Sequence, residues 1–137
     1  YQMLDIPIPF FGVKGIYYYS KRLRLYSKKY TEAEILKNHY RYFLMAEESG
    51  TGGSGYRYMY TVFLEEAAEI FKDDELLALS KYMREVGDRW QVLSLEVLRQ
   101  TKDRKAIDLD TLADITYSIA QMEEKAFTDL RKWVKKQ

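Results

Sequence analysis

Apolar positions recur along this chain at steps of three and four, the period of helices that bury one face. The clearest run is Leu76, Leu79, Met83, Val86, Trp90, Leu93 and Val97. It predicts a long bundle-type helix from an Asp73 N-cap to about Gln100. A second run, Leu112, Ile115, Ile119, Met122, Ala126, Leu130 and Trp133, predicts a helix capped by Asp110 or Thr111. Lys132, Lys135 and Lys136 close that helix, where positive charge complements its dipole. Ile16, Tyr19, Leu23 and Tyr26 predict a helix near residues 15–28. Thr31 with Glu34 three residues on is a capping-box signature. The helix it opens runs to about Glu48 and buries Ile35, His39, Tyr42, Phe43 and Ala46. A fifth helix starts near Tyr56, with Tyr56, Tyr60, Phe63, Ala67 and Ile70 read as inward and Glu65, Glu66 and Glu69 as outward.

The pattern fails in three places. Around Pro7 and Pro9 the chain is apolar without helical period, and each proline forces its predecessor toward extended backbone. Residues 1–13 are therefore expected to be an extended junction to an upstream domain, with one helical domain over 14–137. Residues 49–55, Ser-Gly-Thr-Gly-Gly-Ser-Gly, break the chain between the second and third helices, and residues 101–105 form a polar loop. No internal repeat is evident. The expected fold class is all-α, a bundle-like single domain of about five helices with a short extended, proline-containing N-terminal segment.

Composition narrows the chemistry. The 137 residues suit one domain, and 47% hydrophobic with 31% charged residues argues for a folded core. With no cysteine there is no disulfide, thiol nucleophile or thiolate metal site. The single histidine, His39, excludes a two-imidazole zinc motif, and a lone histidine on an apolar face reads as a hydrogen-bonded core residue. Position 36 is leucine, so no Glu-x-x-His di-metal motif exists, and no metal or cofactor is expected. No apolar run nears the ~20 residues of a membrane span, and no signal segment is evident, so the expected location is cytoplasmic. The net charge of +1 is unevenly spread: residues 1–46 carry 8 Lys/Arg against 3 Asp/Glu, and residues 47–98 carry 5 against 11. Such segregation lets one stretch face the other or marks partner surfaces, although solvated helix faces also vary by chance.

Two stretches carry candidate chemistry. Gly50, Gly52 and Gly55 spell Gly-x-Gly-x-x-Gly, but a helix rather than a strand precedes them, which removes the dinucleotide-binding context. What remains is an anion-holding turn built from Gly52, Gly53, Ser54, Gly55 and Arg57, with Tyr56 and Tyr60 beside it, set against a plain interhelical turn. Residues 14–30 interleave Lys/Arg with tyrosine, a pattern that suits phosphates and stacked bases. The near-neutral total charge and the core spacing of several tyrosines weigh against nucleic acid. No catalytic constellation can be read from the spacing.

Residues 50–68, Gly-Thr-Gly-Gly-Ser-Gly-Tyr-Arg-Tyr-Met-Tyr-Thr-Val-Phe-Leu-Glu-Glu-Ala-Ala, followed by Gly87-Asp88-Arg89-Trp90, resemble the C-terminal helical domain of butirosin biosynthesis protein H-like proteins. The resemblance spans about residues 12–125, and Gly15-Ile16 agrees more loosely. It implies a helical region that follows a papain-like cysteine domain, whose activity is acyl transfer from a carrier protein to an aminoglycoside amine. This chain lacks the nucleophilic cysteine. The resemblance thus implies a non-catalytic accessory domain that shapes the substrate or carrier-protein cleft, with the papain-like domain and an acyl carrier protein as partners. A stand-alone interaction module, binding nucleic acid or a protein through the basic first third, is the alternative.

Overall fold

The computed structural model describes residues 2–9, 11–48, 53–103 and 107–137. Among them are six helices and no strands: α1 (Gln2–Asp5), α2 (Gly12–Leu23), α3 (Glu32–Phe43), α4 (Arg57–Phe71), α5 (Asp74–Asp103) and α6 (Leu109–Val134). The five longer helices are those that apolar periodicity predicts. The short α1 corrects the fully extended reading of residues 1–13: the prolines at 7 and 9 end a helical turn instead of forbidding one before them. Chain direction then reverses at Gly12, whose φ of +59° starts α2. A Cβ there would collide with the Met3 carbonyl oxygen, so glycine lets α1 lie against α2.

Caps set the other helix starts. The Thr31 hydroxyl accepts from the Glu34 N–H at 3.4 Å, while the Thr31 N–H donates to Glu34 Oε2 at 2.8 Å, which completes the capping box. Asp73 accepts from the Leu76 N–H at 2.8 Å as the α5 cap, and its second oxygen accepts from Trp133 Nε1 at 2.9 Å. These bonds hold its carboxyl below the ordinary range. The cap of α6 is Asp108, not Asp110 or Thr111: it takes the Thr111 N–H at 2.9 Å and the Thr111 hydroxyl at 2.6 Å. Asp108 lies three residues ahead of Thr111, the spacing that an N-cap oxygen needs.

α5 and α6 pair along their length, with α2 against α6, and α3 and α4 against α5. Two apolar clusters result. One joins Leu23, Ile35, Leu93, Leu112 and Ile119, and the other joins Leu64, Leu76, Met83, Val86 and Ala126. Trp90 packs against both, and the candidate site forms around it.

The largest departure concerns α4. Its buried residues are Thr61, Leu64 and Ala68, and Tyr56, Phe63 and Ile70 are exposed. With Arg57, these inward positions follow i, i+4, i+7 and i+11, so the core stripe begins with an arginine and a threonine. A hydropathy reading counts both as polar and rotates the helix away from its true face.

Candidate functional site

The turn before α4 runs through four successive residues with positive φ: Gly53 (83°), Ser54 (50°), Gly55 (54°) and Tyr56 (70°). Glycine adopts this region freely, whereas Ser54 and Tyr56 are held there against preference. Contacts to other helices do the holding. The buried Ser54 hydroxyl donates to the Gly87 carbonyl of α5 at 2.8 Å, and the Ser54 N–H donates to Glu47 Oε2 at 3.3 Å. A Cβ on Gly87 would approach the Tyr58 ring to 2.8 Å, so this glycine admits the start of α4 against α5. The Tyr58 hydroxyl donates to Asp88 at 2.8 Å.

Arg57 turns inward from this junction. Its Nε–H donates to Glu123 Oε1 at 2.7 Å and Nη1 donates to the Gly55 carbonyl at 2.6 Å. Its guanidinium lies 4.7 Å from the Trp90 ring centroid, a cation–π contact. The indole N–H of Trp90 donates to the same Glu123 oxygen at 2.6 Å. Glu123 is 0% exposed on α6, so one carboxylate ties together α4, α5 and α6. Tyr42 of α3 adds its ring, 6.4 Å from Trp90 and 6.5 Å from Tyr19. Burial, first of all, raises the Tyr42 phenol pKa, with Glu47 and Glu123 adding to the rise and Arg57 opposing it. The buried Tyr42 hydroxyl, Glu47 Oε1 and Glu123 Oε2 have no hydrogen-bond partner among the described residues.

Gly53, Ser54, Gly55 and Arg57 lie together in this turn, with Tyr56 exposed at their edge, and Gly52 lies outside the described residues. Tyr60 is elsewhere: three residues beyond Arg57, it stacks on Phe63 (5.8 Å) and meets the tilted Phe127 ring (6.2 Å) on another side of α4. Two donors of Arg57 are committed to Glu123 and Gly55, and an anion approaching the turn meets the carboxylates of Glu47 and Glu123. The arrangement clamps a helix junction. Sequence reasoning missed Glu123 and Glu47; it placed Trp90 in the core, where it packs, but missed its bond to Glu123. One signal was present: Glu123 lies between Ile119 and Ala126 on the buried stripe of α6, where an acid needs a partner.

Part of the basic, tyrosine-rich stretch is engaged within the fold, while Lys21, Lys28 and Lys29 are exposed. Arg24, at the C-terminal end of α2, pairs with Asp110 at 2.7 Å and with Asp114, both on α6. The Tyr17 hydroxyl donates to Glu124 at 2.7 Å, and Lys14 Nζ donates to the Ile6 carbonyl at 3.2 Å. Tyr19 and Tyr26 pack in the aromatic rim of the first core cluster.

His39 is buried on α3, but its Nε2 has no hydrogen-bond partner among the described residues, unlike the bonded core histidine expected. Burial lowers its pKa below 6.5, because desolvation disfavours the imidazolium. The unfolded chain then binds the proton more readily, so stability is complete above pH 6.5 and falls as pH drops through the folded pKa. Urea midpoints measured from pH 7.5 to 5 are expected to fall in wild type and to stay nearly flat over that window in His39→Phe. The caps Glu34, Asp73 and Asp108, whose carboxyls are held low by hydrogen bonds, lose their contribution only in a separate window below about pH 4.

Outside this junction, α4 presents Met59, Val62, Phe63, Ile70 and Phe71 to solvent, with Ile70 76% and Phe71 66% exposed. Glu66 and Glu69 lie among them. Among the described residues no group of three His, Cys, Asp or Glu side chains is placed to hold a metal, and no helix is long and apolar enough to cross a membrane.

Residues 1–130 match the family model described as Domain of unknown function (DUF4872). No curated protein and no solved structure matches the chain.

Proposed function

We propose that this chain, which belongs to the DUF4872 family, is a non-catalytic helical accessory domain that packs on a papain-like cysteine acyltransferase or peptidase-like domain of the same polypeptide. There it shapes the cleft that receives the substrate or an acyl carrier protein. The observation that carries this reading is the outward face of α4. Met59, Val62, Phe63, Ile70 and Phe71 are each 48–76% exposed along one 15-residue helix. Phe71 also meets the Trp133 ring at 6.2 Å, and the exposed apolar side chains beside it suit a docking surface. Glu66 and Glu69 stand within it, so the complementary surface is apolar with lysine or arginine at its rim.

The groups with reactive potential support the non-catalytic half of the reading. Arg57, Trp90 and Glu123 bond to one another in the interior, where they join three helices. The identity of the partner domain comes from the resemblance of residues 50–68 and 87–90 to butirosin biosynthesis protein H-like proteins. A photo-crosslinking residue placed at Ile70 in the whole polypeptide is expected to couple to the cysteine-type domain. Coupling at the same yield from exposed Gln121 on α6, or none from Ile70, would refute the assignment.

A further inference from the structure

We draw no further inference here: the strongest candidate, the buried polar cluster of Tyr42, Glu47 and Glu123 beside Arg57, belongs to the site already described, and nothing in the structure shows what meets its unpartnered oxygens.

Discussion

Replacing Arg57 with methionine is expected to lower the free energy of unfolding by about 3–5 kcal/mol, read by urea denaturation at neutral pH. The substitution keeps much of the side-chain volume and leaves Glu123 buried without its cation. A carboxylate at 0% exposure cannot reach water, and the Trp90 N–H alone does not replace a guanidinium. The reverse substitution is gentler. Glu123→Gln retains an acceptor for Trp90, and Arg57, 25% exposed, can turn its charge to solvent. Arg57→Met should therefore destabilise more than Glu123→Gln. The double variant Arg57→Met/Glu123→Leu should recover much of the loss, because it removes the charge as well as its partner. A loss below about 1 kcal/mol in Arg57→Met would mean that the clamp at the α4 start contributes no more than a surface pair.

Trp90→Ala is expected to cost about 3–5 kcal/mol, the range for truncating a large aromatic side chain in a core. Trp90 touches both apolar clusters, faces Arg57 and donates to Glu123, so its removal separates elements that no other side chain connects in the same way. Trp90→Phe retains most of the packing but deletes the indole N–H, so about 1–2 kcal/mol is expected from the lost bond to a buried carboxylate. Combined with Arg57→Met, Trp90→Ala should cost clearly less than the sum of the single changes, since both act on Glu123. Additive losses would show that indole and guanidinium act on separate parts of the fold.

The helices were legible where their inward faces are uniformly apolar. α5 and α6 show Leu76, Met83, Val86, Leu93, Leu112 and Ile119 buried at the spacing their sequence displays. The caps at Thr31 and Asp73 were also legible, because cap chemistry is local. Three features were not. The inward stripe of α4 contains Arg57 and Thr61, and Arg57 is turned inward by Glu123, 66 residues away, so no local pattern announces it. α1 closes on α6 through Asp5 and Arg131, a contact between residues 126 apart. The α6 cap, Asp108 in place of the expected Asp110 or Thr111, turns on where the helix starts. Of the candidate site, the meeting of Gly53, Ser54, Gly55 and Arg57 was legible. The carboxylate that pairs with Arg57, Glu123, belongs to another helix, and no local pattern around the turn announces it.

With Arg57 and Glu123 serving the interior, the outward apolar surface of α4 becomes the feature that the helix packing itself leaves unexplained. A face that exposes Ile70 and Phe71 while Leu64 and Ala68 pack inward is suited to a second partner.

The decisive measurement is turnover by the whole polypeptide carrying Val62→Glu together with Ile70→Glu, compared with thermal melting of this chain carrying the same changes. Both positions are exposed, so the melting temperature should stay within about 2 °C of wild type, while acyl transfer or hydrolysis by the proposed cysteine-type domain should fall about tenfold or more. Unchanged turnover beside an unchanged melt would contradict the docking role of α4 and, with it, the accessory-domain reading.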